Sequence, residues 1–458
     1  MLGAYWLKAN KKALVGSDAV LSNEPVVCRT GHSRQRGGVS LRLMDRPRPP
    51  SALAVLTFRT IGVVLALVFT ATPNVSPSAP LGPGARPVAR PVAGEPYLRG
   101  WIPFRAKPGD DIIIPVRLNG VDAPALLETG SPMVIIDRRL ASELRLTVSR
   151  GPTLTGLNGA VPVDESRLDT LAVGLMSGKD IPVGVADFGG FDPLTGATFR
   201  AILGAKLFNW TALQVDFDHA MLRFLPPGAA SGGVAVAEAR LDPQSGKILT
   251  SLEINGQRID RVEISTGQSS DLRISGDVWR RVKSAGARVT DFASADVTGI
   301  ALNDYTVLPQ VSIGGQMVND VTTVIDAKPG SVLDADHVNA VLGLDLLRRF
   351  NFVLDVDGGK LVVAPRRAPD PPMPKSTTGL QGEYDAGDYR IIHVMRGSPA
   401  ERAGLKDGDR ICAVDHQTVD GSWAGSENGK WSTGAAGKEV ELTLCSGEVK
   451  SLMREEFY

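Results

Sequence analysis

An internal repeat constrains the fold of this chain more than any other feature of its sequence. In residues 125–137, a short apolar run leads into a Thr-Gly turn and a second apolar run follows, with Glu128 at the tip of the turn. Residues 261–274 repeat this construction with Ser265 at the tip. Apolar runs of strand length joined by a glycine-containing turn predict two buried strands and a short loop between them. The repeat therefore predicts two similar half-domains, each presenting one polar side chain on such a loop.

Further landmarks recur in the same order in both copies. A glycine-containing segment follows each turn, at 154–159 in the first copy and at 297–300 in the second. An apolar-apolar-Gly motif comes next, and its glycine (Gly204 or Gly343) follows the threonine of the turn by 75 residues in the first copy and by 77 in the second. A pair of closing strands ends each copy. Landmarks kept in this order indicate one architecture used twice.

The two half-domains resemble those of the aspartic peptidases, and the closest likeness is to the bacterial retropepsin-like group with both lobes in one chain. The resemblance covers about residues 98–364. It implies a mostly β fold in which two β-barrel lobes face each other across a cleft that takes a polypeptide, with no cofactor. It also implies a catalytic loop and a flap hairpin from each lobe. The implied residues are Glu128, Thr129, Gly130, Ser265, Thr266 and Gly267 in the catalytic loops and Gly156, Gly159 and Gly299 in the flaps.

The side chains at the catalytic position depart from the family pattern, in which each lobe contributes an Asp. Hydrolysis by this route needs two carboxyls that share one proton, one to activate water and one to protonate the carbonyl. Glu128 keeps a carboxylate on a longer side chain, but Ser265 cannot ionise in place of the second acid. Loss of an acid–base group costs on the order of 10²–10⁴ in rate. We therefore expect a catalytically impaired homologue; an active peptidase with an unusual dyad and a structural or peptide-binding protein are the alternatives.

Two other acids lie close to Ser265 in the sequence. Glu263 precedes it by two residues on the same face of the predicted strand, and Asp271 follows it by six. Either would restore a second carboxyl if the fold carried it into the cleft. The simpler interpretation is that both are surface or structural charges.

The composition limits other classes of function. Lysine plus arginine and aspartate plus glutamate number 50 each, so the formal net charge is zero and no electrostatic basis for binding nucleic acid exists. The three cysteines and five histidines have no metal-ligand spacing. We therefore predict no nucleic-acid partner, no metal site and no cofactor.

Residues 1–95 are predicted to be a leader ahead of the folded domains. Within it, residues 44–79 have the pattern of a signal peptide, with three arginines before the apolar run at 61–69, and Met44 is a candidate for the true start. A Pro-rich spacer completes the leader. This pattern predicts an extracytoplasmic protein, either periplasmic or secreted. No clear cleavage site follows, so the alternative is a membrane anchor through residues 60–71, and only a retained leader would make the membrane a partner.

Two segments rich in Pro, Gly and Ser divide the rest of the chain and predict linkers. The predicted units after the leader are lobe 1 at 96–226, a linker at 227–238, lobe 2 at 239–364, a stiffer Pro-rich linker at 365–376 and a C-terminal domain at 377–458.

The C-terminal domain carries a motif of its own. Ser398-Pro399 predicts the start of a short helix, and Gly404 is placed to end it. With the Gly-Asp turn at 408–409, this pattern resembles a PDZ domain. The resemblance implies that C-terminal peptides bind by adding a strand to a sheet edge, while backbone amides hold the terminal carboxylate. The implied peptide-binding residues are Gly379, Leu380, Gln381 and Gly382 in the loop and Ile391 and Ile392 in a receiving strand at 389–394.

Two further expectations concern this domain. The helix that borders a PDZ groove belongs near residues 420–435, but the sequence there is a poor helix former. Cys412 and Cys445 both fall on predicted strands. Two buried thiols are one interpretation, and a disulfide formed in an oxidising compartment is the other.

Overall fold

The computed structural model describes residues 100–458 except 108, 157–158, 189–198, 231–234, 297–298, 370–373, 386 and 425. The predicted leader, with its signal peptide and anchor segment, lies outside these residues. Within the described part of the chain, no helix is long and apolar enough to cross a membrane.

Lobe 1 is built on a closed β-barrel. Its elements in chain order are β1 (Ile102–Pro103), β2 (Ile113–Leu118), β3 (Val121–Leu127), β4 (Ile135–Asp137), α1 (Arg138–Glu143), β5 (Thr153–Gly156), β6 (Gly159–Pro162), β7 (Asp164–Val173), β8 (Met176–Ala186), β9 (Ala201–Leu203), a 3₁₀-helix (Ala205–Asn209), β10 (Ala212–Asp216) and β11 (Met221–Leu225). The barrel has the strand order β2-β3-β9-β4-β8-β7, and β5 and β6 form a separate hairpin. Buried and exposed side chains alternate along β2, as expected of a strand with one face on a core.

Lobe 2 repeats this plan in a sheet of eight strands. Its elements are β12 (Ala235–Glu238), β13 (Arg240–Leu241), β14 (Ile248–Ile254), β15 (Gln257–Ile264), β16 (Leu272–Ser275), α2 (Gly276–Val282), β17 (Thr290–Asp296), β18 (Gly299–Ile313), β19 (Gln316–Asp326), α3 (Val332–Ala335), β20 (Ala340–Leu342), α4 (Leu344–Leu347), β21 (Phe350–Asp355) and β22 (Lys360–Pro365). The pairing repeats as well. The parallel pairs β3–β9 and β4–β8 of lobe 1 correspond to the parallel pairs β15–β20 and β16–β19 of lobe 2.

The closing strands of the two lobes combine into one sheet. Its order is β1-β11-β10-β21-β22-β12, so β10 of lobe 1 pairs directly with β21 of lobe 2. Residues 235–238, which the sequence assigns to a linker, are strand β12 of this sheet. The linker residues before them are tied to lobe 2, because the Asp355 carboxylate accepts hydrogen bonds from the backbone N–H groups of Gly228 and Ala230. Buried side chains from both lobes form one continuous core, so the lobes are joined through a shared sheet.

The C-terminal domain has its own sheet and its own core. Its elements are β23 (Leu380–Tyr384), β24 (Tyr389–Val394), α5 (Pro399–Arg402), β25 (Arg410–Val414), β26 (Gln417–Thr418), two 3₁₀-helices (Gly421–Trp423 and Asn428–Thr433), β27 (Glu439–Leu444) and β28 (Val449–Met453). The predicted helix start is confirmed, since the Ser398 hydroxyl caps α5 by accepting from the N–H of Glu401. Where a groove helix would lie, the chain forms only the two 3₁₀-helices, as its poor helix propensity indicated.

A disulfide joins Cys412 and Cys445. The interpretation of two buried thiols is therefore replaced, and its premise was also wrong, because Cys445 lies just after β27 at an exposed position. Of the two alternatives, the structure has the one that suits an oxidising compartment.

Candidate functional site

The two Thr-Gly turns of the repeat meet at the centre of the lobes. The N–H of Thr129 donates to Thr266 Oγ1 at 3.0 Å, and the N–H of Thr266 donates to Thr129 Oγ1 at 3.0 Å. Each hydroxyl then donates across the interface, from Thr129 to the carbonyl of Ile264 at 2.7 Å and from Thr266 to that of Leu127 at 2.6 Å. Both threonines are fully buried. These four hydrogen bonds hold the two turns together at the centre of the lobes.

The late glycine of each copy holds its turn in place. Gly204 and Gly343 lie so close to the carbonyl oxygens of Met133 and Ser270 that neither position has room for a Cβ atom. The N–H of Glu128 donates to the carbonyl just before the first of these glycines, and Ser265 makes the equivalent bond in lobe 2, both at 3.0 Å. Each turn packs directly against the backbone of this glycine, where a side chain would not fit. This explains why the apolar-apolar-Gly motif occurs in both copies.

Glu128 spans the centre between the two turns. Its Oε1 accepts from the N–H of Gly130 at 2.7 Å and from the hydroxyl of Ser265 at 2.9 Å. The N–H of Gly267, in the other lobe, also donates to this carboxylate. A Cβ on Gly267 would overlap Glu128 Oε2. The longer side chain of Glu128 thus fills space that the short Ser265 leaves free, and one carboxylate engages the glycine N–H groups of both turns.

Glu263 belongs to the same centre. It is 5% exposed and pairs with Lys247, so of the two interpretations, surface charge or structural charge, only the structural one fits. A Cβ placed on Gly130 would lie 2.6 Å from Glu128 Oε1, 2.7 Å from Glu263 Oε1 and 2.8 Å from Ser265 Oγ. The two carboxyls and the hydroxyl therefore converge on one point. The signal in the sequence was the spacing of two residues, which puts Glu263 and Ser265 on one face of β15.

A largely buried lysine holds this second acid, and no motif in the sequence indicates it. Lys247 Nζ lies 3.1 Å from Glu263 Oε1 and 3.0 Å from Asp336 Oδ2. The same ammonium group donates to the carbonyl of Gly130 at 2.8 Å. Lys247 immediately precedes β14, and Asp336 follows α3. The two residues are far apart in the sequence, so no local pattern predicts that they meet.

Burial governs the electrostatics of the centre. Desolvation raises the pKa of Glu128, while hydrogen bonds from Gly130 and Ser265 and the charge of Lys247 oppose that rise. Desolvation likewise raises the pKa of Glu263 to about 7 against the field of Lys247. Nearby Asp111 has its pKa raised to about 6, first by burial and then by the charge of Glu128. Several acids here are thus poised to hold protons at mildly acidic to neutral pH.

Asp271 has a structural role in this centre's surroundings. Its carboxylate accepts from the N–H and hydroxyl of Thr322 at 2.9 and 2.7 Å and pairs with Arg349 at 2.8 Å. The interpretation of Asp271 as a structural charge agrees with these contacts.

The two predicted flaps are present as hairpins in equivalent positions. In lobe 1, Gly156 pairs with Gly159 at the end of β5–β6, and in lobe 2, Asp296 pairs with Gly299 at the end of β17–β18. The residues at both tips, 157–158 and 297–298, lie outside the described residues. Their action as lids over the cleft stays a prediction.

The strand order of the C-terminal domain contradicts the predicted receiving strand of its peptide site. Residues 389–394, with Ile391 and Ile392, form β24, which lies between β23 and β25 and so has no free edge. The prediction of this receiving strand was wrong, because the sequence of a strand does not show which strands pair with it on either side. The sheet edge is β23, which begins at Leu380 and contains Gln381 and Gly382.

Lobe 2 covers this edge. Every residue of β23 is buried, and the Gln381 side chain pairs with the backbone of Ala293 in β17, accepting from its N–H at 2.8 Å and donating to its carbonyl at 3.3 Å. Next to this contact, Asp291 Oδ1 lies 2.9 Å from His393 Nε2 and accepts from the N–H of Arg396 at 2.8 Å. The flap hairpin of lobe 2 thus docks on the strand edge to which a PDZ ligand would add.

We expect Asp291→Ala to loosen this docked flap. The change leaves the Arg396 N–H and His393 without their acceptor, and the loss of such bonds costs about 1–3 kcal/mol. Amide hydrogen exchange in β17 and at 393–396 should then rise by about tenfold or more. Asp122→Ala, which removes an exposed ion pair with Arg117 in lobe 1, is the matched control and should change exchange little. Unchanged exchange at β17 would mean that the docking does not persist in solution.

Comparison with known proteins finds family models that match part of lobe 1 and part of the C-terminal domain. Residues 114–207 match a family model described as aspartyl protease, and residues 390–427 match one described as PDZ domain. Among solved structures, the chain is similar to a retropepsin-like aspartic protease from Rickettsia conorii, with 19% identity, coverage of 27% of this chain and 87% of that one, and a TM-score of 0.22. It is also similar to an aspartic proteinase from Irpex lacteus, with 15% identity, coverage of 58% and 97%, and a TM-score of 0.37. No curated protein matches the chain significantly.

The predicted fold class is confirmed. The described chain is mostly β, with barrel-like sheets, an aspartic-protease-like fold and a PDZ domain. Protease domains and PDZ domains generally bind peptide substrates or ligands.

Proposed function

We propose that this protein is an extracytoplasmic homologue of the aspartic peptidases that binds extended polypeptide between its lobes and hydrolyses it slowly. The observation that carries this proposal is the Glu128 carboxylate, which accepts from Ser265 and from the glycine N–H groups of both turns. These contacts support a centre that keeps the hydrogen-bond donors of both turns, while Ser265 stands where an acid is expected from lobe 2.

The reduced rate follows from the chemistry of Ser265. A hydroxyl can donate a hydrogen bond to Glu128, but it cannot exchange a proton with a peptide carbonyl at neutral pH as a carboxyl does. Binding of the polypeptide needs only the cleft and its backbone donors, so it does not suffer the same loss. This supports a protein that still binds polypeptide although it hydrolyses it slowly.

The disulfide between Cys412 and Cys445 supports the location. Disulfides persist in oxidising compartments and are rare in the cytosol. The signal-peptide pattern at 44–79 points to the same location.

Binding of a statine-type inhibitor, a peptide analogue with a hydroxyl at the scissile position, tests the proposed site by calorimetry. We expect the protein to bind it, and we expect Gly267→Ala to weaken binding by at least about tenfold, or ~1.4 kcal/mol, because the added methyl displaces Glu128. Gly387→Ala is the matched control, since a Cβ at that exposed position meets no atom. No binding by the wild type, or equal binding by Gly267→Ala, would contradict the proposed cleft.

A further inference from the structure

Glu263 is a buried acid that has no role in the proposed function. It is 5% exposed, and its side chain is directed to the point where Glu128 Oε1 and Ser265 Oγ also converge. It comes from lobe 2, the lobe whose turn carries Ser265 in place of an acid. The missing carboxyl of lobe 2 is therefore present two residues earlier on the same strand face.

The charges around this point do not balance. Glu263 faces Lys247, Asp336 and Glu128, and Glu128 faces Asp111 as well as Lys247. Three acids, Glu263, Glu128 and Asp336, thus face one ammonium group, while Asp111 also faces the guanidinium of Arg348. Like charges that face each other disfavour ionisation, so we do not expect Glu128 and Glu263 to be fully ionised together at neutral pH.

We propose that Glu263 is the second carboxyl of the centre and shares one proton with Glu128. This inference rests on the proposed function. Glu263 is a positioning residue, because it acts on the substrate only through Glu128. When Glu263 holds the shared proton, Glu128 contacts the polypeptide as a carboxylate. When Glu263 releases the proton to Glu128, Glu128 contacts the polypeptide as an acid.

The electrostatics support this assignment. Burial raises the pKa of Glu263 to about 7, and the charge of Glu128 adds to that rise. Two carboxyls coupled in this way titrate as a pair, with one proton retained over the pH range between their two steps. Lys247 keeps this range from moving to higher pH, since its positive charge favours the ionised form of both acids.

A purely structural role for Glu263 makes a different prediction. Lys247 joins Glu263 of lobe 2 to the carbonyl of Gly130 in lobe 1, so the ion pair also ties the turns together. Loss of that tie would weaken ligand binding at every pH by the same factor. Loss of a shared proton would instead shift the pH at which binding changes.

The test is the pH dependence of binding of the statine-type inhibitor to the full protein, measured by calorimetry from pH 3 to 8. In Glu263→Gln, the like charge beside Glu128 is gone while Lys247 remains, so the midpoint of the profile should move to lower pH by about one to three units. Glu263→Asp keeps a carboxyl and should stay close to the wild type. Glu253→Gln, at an exposed position on β14, is the matched control and should leave the midpoint unchanged.

An unshifted midpoint in Glu263→Gln, with or without weaker binding, would overturn the inference. If that variant does not fold, the wild-type profile decides: a pair that holds one proton gives two limbs, and a single limb would overturn the inference. Absence of inhibitor binding by the wild type at every pH would instead overturn the proposed function on which it rests.

Discussion

Replacing Glu128 and Ser265 by Asp in the same chain is expected to raise the rate of peptide hydrolysis on the order of 10²–10⁴-fold. Glu128→Asp withdraws its carboxylate from the Gly267 side, and Ser265→Asp fills that space with a second acid. Each new Asp would then lie within reach of the glycine N–H of its own turn. The pair would hold one proton at mildly acidic pH and act on water and carbonyl together.

Each single substitution should gain little, since the two groups act as a unit. Ser265→Asp alone would bring a carboxylate against the Glu128 carboxylate that now occupies its space. Glu128→Asp alone would leave Ser265 opposite a retracted acid. The measurement is the turnover of a peptide library by all four chains. A double variant that folds and stays inert would mean that the cleft itself, and not only its acids, has lost the capacity for catalysis.

Thr266→Val is expected to lower the free energy of unfolding by about 2–6 kcal/mol. The Thr266 hydroxyl donates to the carbonyl of Leu127 and accepts from the N–H of Thr129, and both partners are buried. Valine leaves these two backbone groups unsatisfied, at about 1–3 kcal/mol each. Denaturant unfolding followed by circular dichroism measures the change.

Thr323→Val is the matched control for this prediction. Thr323 is equally buried, but its hydroxyl makes only a local bond to the carbonyl of Val321 at 3.1 Å. We expect a loss of about 1 kcal/mol there. Thr129→Val removes two other bonds, the one from the N–H of Thr266 and the one to the carbonyl of Ile264, so a loss of similar size is expected for it. Equal losses at Thr266 and Thr323 would rule out a special role for the paired turns.

The repeat made the central architecture predictable. A Thr-Gly turn between apolar runs has few structural solutions, and two copies with a late glycine in each imply two turns packed in the same way. The contacts of Gly204 and Gly343 give the physical reason, since only glycine lets the turn approach that backbone. Landmarks of this kind are set by local backbone geometry, which a sequence expresses directly.

Contacts between distant segments were not predictable in this way. The sequence shows that Glu263 is close to Ser265 along the chain. Its partner Lys247 comes just before β14, and Asp336 follows α3. Whether these three side chains meet depends on how the strands are arranged. The same holds for β23, whose burial under the lobe 2 flap requires a contact between two domains. Strand order is a property of the sheet, and for that reason the receiving strand at 389–394 was misassigned.

The decisive measurement is the turnover of denatured protein and of a peptide library by the wild-type chain from pH 3 to 8. We expect it to bind polypeptide and to hydrolyse it on the order of 10²–10⁴-fold more slowly than the chain with Asp at positions 128 and 265. Glu128→Gln should abolish the slow reaction and leave the fold intact. Wild-type turnover equal to that of the double variant, and lost in Glu128→Gln, would refute an impaired centre and establish an efficient peptidase that works with Glu128 and Ser265.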